Sequence, residues 1–411
     1  MEKSFNVIYE DLEEFNHRFY FQGNKDTLEA KHNRLKYILN NMGAVNIKLA
    51  SLKDSVATPT ENFFYLIHQV QNYYFISEDF SLNQSLIDAI NNQDNVFVLF
   101  INEREIIEDN CFEAAIEKFK ELGVNGVKYY FINNNGLMDR YKEILDFEVG
   151  IHSVRYLPLD MSLNLQKYSV KNILDKKFFT MCHNRRMKPH RYGILALLKK
   201  YNLIGDCDWS IIEGENYRTY HLHDDIVDID PRKEIFNDMD RAFIADEIKY
   251  FSQFSVKKSF FEDFYKREEI DWVTIFPESY LNSYINIVTE SNFETNDIHI
   301  TEKAFKPFYF FQIPIIIGNY KYLHFFKERY DFDLFEDLID LSYDNEPDHR
   351  KRLFMAFDEI NKLYKNKKKI VKFYKENQER FISNHQKTIN IVNDKHDYNF
   401  FQKLINLKIN G

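Results

Sequence analysis

Residues 284–318, which decide the fold class, read YINIVTESNFETNDIHITEKAFKPFYFFQIPIIIG. The run Tyr284–Val288 is β-branched and aromatic, which is typical of a buried strand. A polar loop follows, and Thr301 then offers an N-cap hydroxyl to a helix. Ile313–Ile317 is a second apolar run, closed by Gly318. The stretch therefore predicts a strand–loop–helix–strand unit, the repeating module of parallel α/β folds.

Three charged residues, Glu302, Lys303 and Lys306, lie in the first turns of this predicted helix. In a parallel unit the helix begins at the carboxyl edge of the sheet, where open α/β sheets bind ligands. Free N–H groups and the positive end of the helix dipole suit a phosphate there. Two lysines add point charges for a diphosphate, and a carboxylate can accept hydrogen bonds from a ribose diol. Pro307 is well placed only if the helix proper starts near Lys306; otherwise it kinks the first turns.

The same stretch resembles the nucleotide-sugar signature of the α-1,3-fucosyltransferases. The matching elements are Glu290-Ser291-Asn292, Thr301-Glu302-Lys303 and the strand Ile313–Gly318. By this resemblance, Glu302 would hold the donor ribose and Lys303 the donor phosphates. The family usually has a tyrosine where this chain has His299, so contacts to the base or the sugar would differ there.

A second strand, Phe178–Cys182, leads into a basic loop and a helix that begins at His190. This order again suits a phosphate. In the fucosyltransferases an asparagine at the strand end is followed by an arginine that contacts the donor phosphates, and Asn184 and Arg191 match that pattern. Arg186 adds a further guanidinium, so the choice among the arginines stays open. The alternative interpretation is a solvated cationic loop or an RNA contact.

Further alternation upstream predicts another parallel α/β region, with strands at Val96–Ile101 and Val127–Ile132. Asn62–Ile76 is aromatic-rich and irregular, with one strand predicted at Tyr73–Ile76. Near the other end, Phe332–Leu341 is predicted to be helical because acidic and apolar residues alternate there.

The predicted architecture is α/β, with two Rossmann-like domains facing a cleft as in GT-B glycosyltransferases, and a helical tail. The boundaries are 1–165 for an N-terminal acceptor-side domain, 166–345 for the nucleotide-sugar-binding domain, and 346–411 for the tail. Pro347–Ile391 is a long helical stretch that contains a basic run between Lys365 and Lys375. This run is interpreted either as a solvated helix face or as a weak membrane-surface contact.

The composition describes a globular protein whose net charge is −10. An acidic balance argues against duplex DNA as the main partner. The three cysteines have no metal-like spacing, which favours free thiols in a reducing cytoplasm. The N-terminus lacks a signal-peptide pattern, and no run reaches the ~18 apolar residues of a membrane span. We therefore expect a cytoplasmic protein without a transmembrane segment.

One interpretation of Tyr220–Asp230 is a metal site, because His221, His223 and Asp224 could act as ligands and Asp228 and Asp230 form an Asp-x-Asp pattern. Strand alternation would place the two histidines on one face without any such role. Fucosyltransferases of the resembling type need no metal to bind the nucleotide, so no metal is expected.

The predicted reaction moves a sugar from a GDP- or UDP-linked donor to a hydroxyl acceptor, with inversion and without a further cofactor. Cationic groups would stabilise the departing diphosphate, and a carboxylate would deprotonate the acceptor. Glu103, which follows the strand Val96–Ile101, is the candidate base, and Glu105, Glu78 and Asp79 are its rivals. Two alternatives stay open: a phage-type glycosyltransferase acting on modified nucleic-acid bases, and a non-catalytic protein that binds a nucleotide sugar or RNA. The predicted donor-binding residues are Asn184, Arg186, Arg191, Glu290, Asn292, His299, Thr301, Glu302, Lys303 and Lys306.

Overall fold

The computed structural model divides the chain into two compact units, Met1–Tyr156 with Asp394–Gly411, and Leu157–Asn393. The residues that the structure describes are 5–9, 47–51, 63–69, 84, 87–88, 91, 96–102, 117–118, 120–124, 129–133, 175–184, 188–212, 235–254, 256–257, 277–291, 293–294, 298 and 300–393.

The first unit contains a five-stranded sheet in which all paired strands are parallel. Its strand order is β2-β1-β3-β4-β5. This is a doubly wound order, because β2 is added on one side of β1 and the later strands are added on the other. The strands are β1 (Phe5–Tyr9), β2 (Ile47–Ser51), β3 (Phe63–Gln69), β4 (Val96–Asn102) and β5 (Tyr129–Asn133).

Sequence reasoning found only part of this sheet. The strand predicted at Val96–Ile101 is confirmed by β4, and the next one overlaps β5. β3 lies in the segment Asn62–Ile76, for which the sequence predicts irregular structure. The run FFYLIHQ does not predict a strand because it lacks the clean alternation of a half-exposed strand. The strand predicted at Tyr73–Ile76 lies outside the described residues.

The second unit is built on a sheet of order β10-β9-β6-β7-β8, with four parallel strands and β8 antiparallel at one edge. The strands are β6 (Phe178–Asn184), β7 (Cys207–Ile212), β8 (Val256–Lys257), β9 (Ser283–Thr289) and β10 (Ile313–Ile317). The helices are α1 (Pro189–Lys200), α2 (Asp238–Phe251), α3 (Pro277–Leu281), α4 (Glu302–Tyr309), α5 (Tyr322–Tyr330), α6 (His349–Lys365), α7 (Lys367–Glu376) and α8 (Gln378–Asn393).

The β9–α4–β10 unit confirms the prediction made from residues 284–318. Every residue of β9 and β10 is buried, as their uninterrupted apolar runs require. Pro307 lies inside α4, which begins at Glu302 and ends two residues after the proline. Gly318 follows β10 directly, and Tyr322 packs closely against it: a Cβ at Gly318 would lie 2.7 Å from Tyr322 Cγ.

The helical stretch predicted from Pro347 onward is also confirmed, and α6, α7 and α8 belong to the second unit. His385 on α8 donates from Nδ1 to the carbonyl of Tyr309, at 2.6 Å, and stacks on Phe311. On α7, Lys375 pairs with Asp175 at 2.6 Å, whereas Lys368 and Lys369 are exposed. Within the described part of the chain, no helix is long and apolar enough to cross a bilayer.

The helix predicted at Phe332–Leu341 is wrong. This segment is irregular and contains Phe335 at a φ of 57°. The Asp333 side chain accepts from the Phe335 N–H at 2.9 Å, and Arg380 binds Asp333 and Asp337. A short acidic side chain that bonds its own backbone competes with helix formation, which the alternation of acidic and apolar residues does not reveal.

Candidate functional site

The candidate site lies between β6 and β9 in the second sheet, where successive strands are added to opposite sides of the sheet. The chain runs from β6 to β7 on one side of this point and from β9 to β10 on the other. Ligands of open α/β sheets bind outside the carboxyl ends of the strands at such a point. Those ends are joined here, because Thr289 Oγ1 donates to Asn184 Oδ1 at 2.5 Å.

The loop after β9 is held by the start of α1. His190 Nε2 donates to the Glu290 carbonyl at 2.9 Å, and Arg191 Nη2 donates to the carbonyls of Glu290 and Thr289 at 3.1 and 3.3 Å. Lys188 Nζ donates to the Ser291 carbonyl. Burial, with Arg191 and Lys188 nearby, lowers the pKa of His190 well below its usual value, so its imidazole is neutral. Arg191, predicted to contact phosphates, is buried and anchors this loop.

The carboxylate of Glu290 connects the same loop to α4. It accepts hydrogen bonds from the hydroxyls of Thr301 and Tyr322, both at 2.7 Å, and from the Ser291 N–H at 3.2 Å. Glu290 is fully buried. Thr301 in turn caps α4 by accepting from the Lys303 N–H at 3.2 Å, which confirms its predicted N-cap role. Glu290 therefore positions the first turn of α4.

The charged residues of α4 form a compact cluster at that first turn. Lys303 Nζ lies 3.3 Å from Glu302 Oε1 and 3.4–3.5 Å from the hydroxyls of Thr301 and Ser291. The Lys303 side chain is 31% exposed, and that of Glu302 is 10% exposed. Lys306 is buried beside them.

The ionisation of this cluster follows from burial and from its neighbours. Burial alone would raise the pKa of Glu302, but Lys303 and Lys306 outweigh it and lower that pKa to about 2. Burial lowers the pKa of Lys306, and the carboxylates of Glu302 and Glu290 oppose that effect. Glu302 is thus held as a carboxylate, and Lys306 is a cation kept in a poorly hydrated place.

A layer of rings and a guanidinium fixes the far side of the loop. Phe293 stacks on His190, with ring centroids 5.0 Å apart, and the guanidinium of Arg352 lies over the Phe293 ring, 4.6 Å from its centroid. Arg352 also donates to the carbonyls of Phe293, Gly318 and Glu346, at 2.6, 3.2 and 2.7 Å. Ser291 and Phe293 are therefore tied to the start of α1 and to α6.

The structure brings together all seven of the described residues that are predicted for donor binding. Those near one another through the contacts above are Asn184, Arg191, Glu290, Thr301, Glu302, Lys303 and Lys306. The remaining predicted residues, Glu103, Arg186, Asn292 and His299, lie outside the described residues, as do the rival bases and the segment that contains His221 and His223.

Sequence reasoning missed Tyr322 and Arg352, which lie 32 and 62 residues from Glu290, and it gave Lys188 and His190 no role of their own. Their contacts are made to backbone groups or across the fold, and no local pattern marks them. Over the described residues, no group of three or more His, Cys, Asp or Glu side chains is arranged to hold a metal ion.

Comparisons with known proteins give little further information. No protein-family model matches the chain, and no curated protein sequence matches it. Among solved structures, the chain is similar to the N-terminal domain of trehalose-6-phosphate phosphatase from Candida albicans, with 10% sequence identity and a TM-score of 0.37. That alignment covers 96% of this chain and 97% of the other. A TM-score this low carries no argument about fold or function.

Proposed function

We propose that this protein is a glycosyltransferase that takes a sugar from a GDP- or UDP-linked donor and transfers it to a hydroxyl acceptor. One observation carries the proposal: Glu302 and Lys303 in the first turn of α4 cluster with Lys306, one turn further along the helix, beside the switch point of a Rossmann-like sheet. Open α/β sheets bind nucleotides at this place. The GT-B arrangement predicted from the fucosyltransferase resemblance belongs to this proposal.

The cluster has a suitable group for each part of a nucleoside diphosphate. The N–H groups at the start of α4 and the partly exposed ammonium of Lys303 would receive the diphosphate. Glu302, with its pKa lowered to about 2, stays ionised and would accept hydrogen bonds from a ribose diol. As the bond to the sugar breaks, Lys303 and Lys306 would stabilise the charge that develops on the leaving diphosphate.

The residues around the cluster support the proposal by keeping its geometry fixed. Glu290 holds Thr301, and Lys188, His190 and Arg191 hold the loop that carries Glu290. Preorganised charges lose little free energy to rearrangement when a ligand arrives. Glu103 remains a predicted base, and the identity of the acceptor remains a prediction as well.

Isothermal titration of the whole chain with GDP and with UDP tests nucleotide binding. We expect Lys303→Ala to weaken the preferred nucleotide about 10- to 100-fold, because a hydrogen bond to a charged group contributes about 1.5–3 kcal/mol. Lys369→Ala removes an exposed positive charge on α7, away from α4, and is expected to bind as the unaltered chain does. Circular dichroism confirms that both variants fold.

Two results would contradict the proposal: neither nucleotide binds, or Lys303→Ala binds with unchanged affinity. A second assay follows the release of nucleotide from UDP-glucose and GDP-fucose. Binding without release would leave a non-catalytic nucleotide-sugar-binding protein, which is the alternative function.

A further inference from the structure

A histidine–carboxylate pair lies on the sheet next to the candidate donor site and takes no part in holding it. His183 Nε2 is 3.2 Å from Asp208 Oδ2, which joins β6 to β7. The Asp208 side chain is fully buried, and that of His183 is 14% exposed. Among the seven residues of β6, His183 alone is not buried. The pair thus has a carboxylate inside and an imidazole that solvent reaches.

His183 lies on the face of the sheet that α4 covers. Met181 shares its side of β6 because side chains alternate along a strand. Gln312, which follows α4 in the chain, donates to Met181 Sδ at 3.1 Å and accepts from Asn286 on β9 at 2.9 Å. Alternation from Asn286 places Glu290 on this face too, and Glu290 binds the cap residue of α4.

Strand register then places His183 close to Glu290 at the carboxyl edge of the sheet. Met181 pairs with Asn286, so His183 is level with Val288, two residues before Glu290 on the neighbouring strand. Strand spacing and rise give about 8 Å between the Cα positions of His183 and Glu290. A group bound at the first turn of α4 therefore lies at the same edge of the sheet as this imidazole.

The chemistry of the pair is that of an oriented proton acceptor. A carboxylate accepts hydrogen bonds and does not donate them, so the proton of the imidazole is on Nε2 and Nδ1 presents a lone pair. Asp208 fixes this tautomer and stabilises the imidazolium that forms when Nδ1 takes a proton. The Tyr280 ring, 6.0 Å away and nearly perpendicular, borders the imidazole from α3.

We propose that His183, oriented by Asp208, and not the predicted Glu103, is the base that accepts the proton of the incoming hydroxyl group. The inference rests on the glycosyl transfer proposed above. In that step the acceptor oxygen bonds to the anomeric carbon as its proton passes to Nδ1. The bond between that carbon and the diphosphate oxygen breaks, and its electron pair leaves with the nucleoside diphosphate.

The experiment measures nucleotide release from UDP-glucose and GDP-fucose, with water as the acceptor, beside the affinity for UDP and GDP. We expect His183→Gln to lower the turnover number about 100-fold or more, the usual contribution of a general base, with unchanged nucleotide affinity. Asp208→Asn keeps the imidazole but replaces the carboxylate that accepts its hydrogen bond with a weaker acceptor, an amide. We therefore expect a smaller loss of turnover for this variant. His324→Gln alters an exposed histidine on α5 and is the matched control.

Chemical rescue separates a proton acceptor from a structural residue. Imidazole added to His183→Ala is expected to restore part of the turnover, which a merely structural histidine would not allow. The inference is overturned if His183→Gln turns over normally, if imidazole restores nothing, or if Glu103→Gln alone abolishes release. If nucleotide binds but the unaltered chain releases none from either donor, the inference fails while nucleotide binding stands.

Discussion

Two buried cations, Arg352 and Lys306, lie on either side of the loop after β9 and differ in the groups that balance their positive charge. Arg352 is 1% exposed, and its guanidinium donates to the carbonyls of Phe293, Gly318, Glu346 and Pro347. Lys306 is 7% exposed, and no hydrogen bond from its ammonium to another residue is found in the described part of the chain. Among the described residues, the carboxylates of Glu302 and Glu290 balance its charge through their electric fields.

The difference separates a structural charge from a charge that is available to a ligand. A buried cation whose donors all meet carbonyl oxygens stabilises the positions of those carbonyls. A buried cation without such partners loses hydration and gains little in return, so it persists at a site where something else supplies the missing interaction. This contrast favours the α4 side of the loop as the binding side.

The largest expected effect comes from breaking the structural charge. Arg352→Met leaves four carbonyls of the loop, β10 and the start of α6 without their donor. Since each unsatisfied buried group costs about 1–3 kcal/mol, we expect the free energy of unfolding to fall by about 3–5 kcal/mol. Urea denaturation measures this. The control variant Lys351→Met replaces an exposed neighbour of Arg352, and its free energy of unfolding should change by less than about 0.5 kcal/mol. Equal stability of the two variants would contradict the assigned contacts.

The pH dependence of stability tests the other side of the loop. The pKa of Glu302 is lowered from 4.5 to about 2, so the folded state favours its carboxylate. The resulting stabilisation is complete above pH 4.5 and is lost as the pH falls towards 2, and its size is on the order of 3 kcal/mol. Glu302→Gln should therefore be less stable than the unaltered chain at pH 6, and the difference should shrink at pH 3.

Urea denaturation at both pH values gives this difference, with Glu328→Gln, an exposed carboxylate on α5, as the control. If the gap between the Glu302 variant and the unaltered chain is the same at pH 6 and pH 3, the Glu302 carboxylate is not held by Lys303 and Lys306.

The sequence predicts the β9–α4–β10 unit well and the contacts around it poorly. Ile313–Ile317 matches β10 at both ends because an apolar run closed by Gly318 has one reasonable interpretation. The cap at Thr301 is likewise a local matter. In contrast, Arg191 meets carbonyls about 100 residues away, and which carbonyl it meets depends on the packing of α1 against β9. The fucosyltransferase resemblance predicts a phosphate contact for Arg191, and no local pattern predicts the contacts by which Arg191 also holds the loop.

The same limit explains why the pattern could not rank the lysines of α4. In the sequence, Lys303 and Lys306 are two lysines near a helix start, and nothing distinguishes them. In the structure, Lys303 is partly exposed and paired with Glu302, whereas Lys306 is buried. Lys306 is buried because α5, α8 and the neighbouring strands pack on α4. Their arrangement is a property of the folded unit.

The smallest expected effect on stability comes from Lys306→Met. Burial lowers the pKa of Lys306, which means that the folded state disfavours its charged form relative to the unfolded chain. At neutral pH the charge therefore opposes folding, and an apolar side chain of similar length removes that cost. We expect the free energy of unfolding to stay the same or to rise by about 1 kcal/mol.

Affinity for the nucleotide should move in the opposite direction. If the charge of Lys306 serves a diphosphate, Lys306→Met weakens the binding of the preferred nucleotide about 10-fold, because one charge-assisted interaction is lost in a poorly hydrated place. Urea denaturation and titration calorimetry on the same preparation give both quantities, with Lys369→Met as the exposed control. A variant that loses stability and keeps its affinity would show that Lys306 is a structural charge like Arg352, and the contrast between the two sides of the loop would no longer hold.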